Sequence, residues 1–243
     1  MTIQTVIIGM GLTLFGVASV TRAEASAITF QQQTLTNGSG LGNVPTILVL
    51  QETSVETGGV SWNGTADVAT GNAKSQSRTW SVADLATVGI VGTDSEFGLV
   101  LNLDETNPHD DVSLTALQVN FFNPAGGVMF SAPYACLACG SPLPLTLVET
   151  AQGTGSSGFL FRVGLTVAER SLFFGAGSNR LGLTTSVRDT DGGQETFYLA
   201  DLQPTSDVLM VNVVNPEPAT LVLFGSGLLG LVFLIRSRQT TIV

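Results

Sequence analysis

Four carboxylates stand close together in the stretch Asp104-Glu105-Thr106-Asn107-Pro108-His109-Asp110-Asp111. Hard oxygen donors on a loop suit Ca²⁺, so Asp104, Glu105, Asp110 and Asp111 are the candidate metal ligands. Their spacing is not that of an EF-hand, and no glycine supplies its sharp turn. The competing reading is a solvated acidic loop. His109, the chain's one histidine, lies beside these carboxylates, and a Ser-His-Asp site would need it. No nucleophile-elbow pattern accompanies it, so it reads as a solvated loop histidine and no catalytic residue is assigned. Asp189 and Asp191 form a second, smaller acidic group.

Cys136 and Cys139 form a Cys-x-x-Cys pair between proline and glycine flanks. Zinc would need further ligands that the sequence does not offer nearby. A thioredoxin-like site would need a helix N-terminus to stabilise a thiolate. In an exported chain the pair reads as a local disulfide, with little effect on global stability because it closes so small a ring. Gly225-Ser226-Gly227-Leu228-Leu229-Gly230 spells G-x-G-x-x-G. A dinucleotide site needs a βαβ unit around that turn, and too little chain follows. Asn37-Gly38-Ser39 and Asn63-Gly64-Thr65 fit the glycosylation pattern but read as plain turns.

The elements that must hold these groups are strands. The chain has 243 residues, 44% of them hydrophobic and only 12% charged, with 28 glycines. Short apolar runs recur between Gly, Asn, Asp and Pro: Thr46–Gln51, Ser75–Val82, Phe97–Leu103, Leu114–Phe122, Leu145–Glu149, Phe159–Val167, Leu181–Val187, Glu195–Ala200 and Val208–Val214. Phe159, Phe161 and Val163 alternate with Arg162, and Leu117, Val119 and Phe121 alternate with Gln118 and Asn120, the period of a half-buried strand. A short helix fits Val82–Val91. Residues 28–214 are expected to form one all-β domain, a β-sandwich with jelly-roll topology as one form of it. Asp191-Gly192-Gly193 predicts a hairpin turn within Arg188–Phe197. The net charge is −10, and such a surface repels phosphate backbones, so nucleic acid is not an expected partner.

Both ends differ from this body. Val6–Val20 has the length of a signal-peptide core, followed by small-x-small sites at Ala23, Ala25 and Ala27. Residues 1–27 are therefore expected to be a signal peptide, although no Lys or Arg precedes the core. Ala219–Ile235 is an uncharged apolar run of about 25 Å as a helix, at the short end for a bilayer crossing. Arg236 and Arg238 follow it, and by the positive-inside rule they remain cytoplasmic with the body outside. The glycines in this run suit close helix approach in a membrane.

Pro216-Glu217-Pro218, then the apolar span, then a basic tail at residues 236–243 together resemble a PEP-CTERM sorting signal, here residues 215–243. The resemblance implies a Gram-negative exporter of exopolysaccharide. It also implies recognition by an exosortase, a transpeptidase-like membrane enzyme thought to cleave near Pro216, Glu217 and Pro218. The two prolines disfavour helix and hold the chain extended where such an enzyme would act.

The expected protein passes the Sec translocon, rests at the inner membrane as a precursor and matures at the cell surface or in the extracellular matrix. Its body would be non-catalytic: structural, adhesive or glycan-binding, with extracellular polysaccharide or biofilm as its setting. No cofactor is expected beyond Ca²⁺ at the acidic loop. The alternatives are a secreted glycan-active hydrolase using two of Asp104, Asp110 and Asp111, and a permanently anchored surface protein.

Overall fold

Alternation along the chain becomes burial in the structure, a computed structural model. It describes residues 26–35, 44–104, 111–135, 142–148, 157–203 and 210–212. The strands are β1 (Ala27–Leu35), β2 (Thr46–Leu50), β3 (Thr53–Trp62), β4 (Asp67–Gly71), β5 (Trp80–Ser81), β6 (Glu96–Leu103), β7 (Asp111–Phe122), β8 (Val128–Pro133), β9 (Leu145–Val148), β10 (Ser157–Gly164), β11 (Arg180–Asp191), β12 (Glu195–Gln203) and β13 (Met210–Asn212). Two short helices, α1 (Val82–Thr87) and α2 (Val167–Phe174), complete the described chain. The protein is all-β in class, as its composition predicts.

The strands form two antiparallel sheets. One runs β1-β10-β6-β12, with β2 and β13 also on β12; the other runs β4-β3-β11-β7-β8, with β5 beside β11 and β9 beside β7. Consecutive strands change sheet at β2 to β3, β5 to β6, β6 to β7, β9 to β10, β10 to β11 and β11 to β12. One apolar cluster draws on both sheets: Leu48, Leu99 and Phe161 from the first, Val119, Phe121 and Leu183 from the second. The hydrophobic effect over this shared face is the main force holding the sheets together. The first sheet also buries Val100, Leu160 and Tyr198 in a second cluster, so β10 is apolar on both sides.

Several expectations change. Arg188–Phe197 is not a hairpin, because β11 pairs with β3, β5 and β7 whereas β12 pairs with β2, β6 and β13. Gly192, at φ +99, turns the chain from one sheet to the other instead. Of Ser75–Val82 only Trp80 and Ser81 pair as strand. The segment before them crosses back along β2, where Lys74 N–H donates to Val49 O at 2.8 Å and Arg78 N–H to Ile47 O at 3.0 Å. The strand expected over Phe159–Val167 ends at Gly164, since Thr166 turns out to cap α2. Strands β1, β3, β4 and β8 were not foreseen.

Both helices are closed at their N-termini by reciprocal capping boxes, Ser81 with Asp84 and Thr166 with Glu169. Each satisfies two otherwise unpaired backbone donors. Burial pushes the Glu169 carboxyl up, but hydrogen bonds from Thr166 and Ser26 outweigh it, and the group sits below the ordinary carboxylate value. No helix among the described residues is long and apolar enough to cross a membrane; the expected span at 219–235 lies outside them.

Candidate functional site

The acidic loop is a crossing between the sheets. Asp104 follows β6 and Asp111 opens β7, where it pairs with Val148 of β9. Asp111 is exposed. Glu105, His109 and Asp110 lie outside the described residues, as do Cys136, Cys139, Ala23, Ala25, Pro216, Glu217, Pro218, Arg236 and Arg238. Among the described residues no three or more His, Cys, Asp or Glu side chains group as a metal set. Ala27 is the first residue of β1 and pairs with Gly164. Asn63 is a turn residue as expected, its Oδ1 accepting from the N–H groups of Thr65 and Ala66 at 2.9 Å each.

A pair of carboxylates that the sequence reading passed over lies at one corner of the sheets. Glu56 on β3 and Glu195 at the start of β12 are both 0% exposed. Two sheet-to-sheet crossings meet there: Gln51 and Glu52 between β2 and β3, and Gly192 to Gln194 between β11 and β12. Glu56 Oε1 accepts the Glu52 N–H at 2.5 Å. Glu56 Oε2 meets no donor among the described residues. Gln51 Nε2 donates to Gly192 O at 3.4 Å, tying the crossings together. Burial pushes the Glu56 carboxyl up, against the opposing pull of a hydrogen bond with Glu195, the Glu52 backbone and the charge of Lys74. Period-2 reading places Glu56 on the inward side of β3, with Val60, but an inward glutamate between Val55 and Gly58 gave no strand signal.

The outer face of the second sheet has a different character. Thr57, Thr184, Ser186, Gln118, Asn120 and Ser131 lie side by side across β3, β11, β7 and β8. Thr57 and Ser186 hydroxyls are 2.8 Å apart. Asn120 receives Gln118 Nε2 at 2.6 Å and Ser131 Oγ at 2.7 Å on its Oδ1, and its Nδ2 donates to Thr184 Oγ1 at 3.3 Å. Thr57, Thr184 and Gln118 are exposed. Beyond β5 the Arg180 guanidinium lies 4.3 Å over the Trp62 ring, held by Thr79 Oγ1 at 2.6 Å. The result is a face of hydroxyl and amide groups.

The fold and its chemistry thus define an all-β domain carrying a polar sheet face, followed in the sequence by an apolar C-terminal run that prolines precede. Residues 216–239 match the PEP-CTERM protein-sorting motif. The motif implies export and processing by an exosortase, with a membrane-anchored C-terminal sorting signal. No curated protein and no solved structure matches the chain.

Proposed function

We propose that this chain is the precursor of an exported, non-catalytic surface or matrix protein whose body binds extracellular polysaccharide. The observation carrying the sorting part is the match at residues 216–239. For the body, the support is the polar face of the second sheet. We read the two sheets as a β-sandwich of jelly-roll type, because β2-β12-β6-β10 and β3-β11-β7-β8 alternate along the chain as the two sheets of that fold do. Hydroxyl and amide groups on a flat sheet pair with sugar hydroxyls as donors and acceptors alike. The exposed members of the face can exchange water for such partners.

The N-terminus adds a constraint on processing. Ser26 is 5% exposed, donates from Oγ to Ser131 O at 3.1 Å, and hydrogen-bonds Glu169 through both backbone and side chain. Cleavage after Ala25 would place a new α-ammonium against the Glu169 carboxylate, whereas cleavage after Ala27 would remove both contacts and the first residue of β1. The mature chain is therefore expected to begin at Ser26. Intact-mass measurement in the host, with and without its exosortase, tests both ends. A chain starting at Ser26 and ending near Pro218, the latter only when the enzyme is present, is the expected result. An unprocessed C-terminus in both strains would show a permanent anchor instead.

Binding by the polar face has its own test. Replacing Thr184 and Asn120 together with Ala should weaken retention on the host's purified polysaccharide about tenfold, from the loss of one to two net hydrogen bonds. Equal retention of the variant would exclude this face.

A further inference from the structure

We propose that a cleft at one end of the polar face takes a carboxylate-bearing sugar residue, a uronate, whose carboxylate Arg188 holds. This rests on the polysaccharide reading above and names the kind of polysaccharide. The cleft has a volume of about 400 Å³ and is lined by Ser113, Thr115, Leu143, Pro144, Arg188 and Asp189. That volume lies within the range of small-molecule sites. The cleft continues the polar face, because Arg188 stands two positions beyond Ser186 on β11 and so on the same side of the sheet. Ser113 of β7 is its cross-strand partner. Two irregularities meet here. The register of β11 on β3 shifts between Arg188 and Thr190, which makes Asp189 an extra residue, at φ +66. The register of β7 on β11 shifts between Leu114 and Ala116, which makes Thr115 an extra residue of its own strand. Bulges re-aim side chains and gather beside functional sites, and both of these bulged residues line the cleft.

Arg188 differs from the other described arginines in what it touches. Arg162 pairs with Glu96 and Arg180 with Asp67. Arg170 donates to Thr93 O at 3.0 Å, and the Arg78 guanidinium lies 4.1 Å over the Trp80 ring. Arg188 is exposed and makes no hydrogen bond, ion pair or ring contact among the described residues. The chain has 19 Asp and Glu against 9 Lys and Arg, yet no carboxylate of its own closes on this guanidinium, which leaves it open to an anion from outside. Its planar fork matches both oxygens of one carboxylate. The other lining groups suit the rest of a sugar. Thr115 Oγ1 donates to Ser186 O at 3.0 Å, so its lone pairs remain to accept from a ring hydroxyl. The Ser113 hydroxyl can donate or accept, and the Asp189 carboxylate accepts. Leu143 and Pro144 give an apolar wall for the C–H face of the ring.

The test uses the full-length protein in detergent and two forms of the host's polysaccharide, as purified and after chemical reduction of its uronate carboxyls to neutral alcohols. Wild-type protein is expected to be retained about ten- to a hundredfold more weakly on the reduced form, the loss of a charge-assisted fork. Arg188→Gln should show the same loss on the unreduced form and no further loss on reduction. Arg188→Lys keeps the charge without the fork and should fall between them. Both variants should melt like wild type, because the side chain is exposed. Wild-type protein retained equally on both forms would overturn the uronate assignment and leave the polysaccharide reading in place. An Arg188→Gln variant that still prefers the unreduced form as wild type does would overturn it in the same way. Wild-type protein retained on neither form would overturn the polysaccharide reading, and this proposal with it.

Discussion

Phe121→Ala is expected to lower the urea midpoint of the purified chain by about 1–2 M, from a loss of ~3–5 kcal/mol in core packing. Phe121 is 0% exposed. Its ring stacks on Phe130 with centroids 4.4 Å apart and meets Phe173 edge-on at 4.8 Å. It therefore joins three elements: β7, its neighbour β8, and helix α2. Truncation removes the aromatic contacts and leaves a cavity that two strands and a helix cannot all collapse into. A domain with a total stability of ~5–15 kcal/mol would lose a large share of it. Val128→Ala, at a side chain 59% exposed, should leave the midpoint within experimental error. Similar midpoints for the two variants would mean that Phe121 is not at the centre of the shared core.

What the sequence revealed depended on whether burial was one-sided and apolar. Leu117, Val119 and Phe121 alternate cleanly, and β7 lies where that alternation puts it, only longer at its start. The same rule missed β4, whose Asp67–Gly71 stretch is an edge strand exposed along nearly its whole length and so carries no apolar period. It missed β3 because Glu56 and Gly58 occupy inward positions there; Gly58 is forced by a Leu50 side chain and the Thr70 carbonyl, each 2.8 Å from where a Cβ would stand. Helix α2 did leave a signal, Thr166 followed three residues later by Glu169, but the apolar run before it read as continuous strand. Sheet membership was the hardest feature. Asp191-Gly192-Gly193 supplies turn chemistry for a hairpin or a crossing alike, and only long-range pairing chooses between them. The sorting signal was legible for the opposite reason: its order of prolines, apolar run and arginines is linear and needs no tertiary partner.

Gly182→Val should be almost as damaging as the loss of Phe121, and it should also disable the polar face. Gly182 lies in β11, paired with Asn120 of β7, at the point where the other edge of β11 passes from β5 to β3. A Cβ there would stand 2.2 Å from the Val60 carbonyl oxygen and 3.1 Å from the Phe122 ring. The first contact is with backbone, so no rotamer change relieves it; β3 must move away from β11. Overpacking of this kind costs about 1–3 kcal/mol, with the upper end expected in a strand held on both edges. Gly177→Ala is the matching control, since nothing lies within 4 Å of its Cβ position. Displacing β3 also separates Thr57 from Ser186, which now touch across the two strands. Polysaccharide retention should therefore fall in Gly182→Val even at temperatures where circular dichroism finds the sheets intact. A variant that melts like wild type would mean that β3 does not approach β11 this closely. One that melts early but retains polysaccharide fully would separate the polar face from binding.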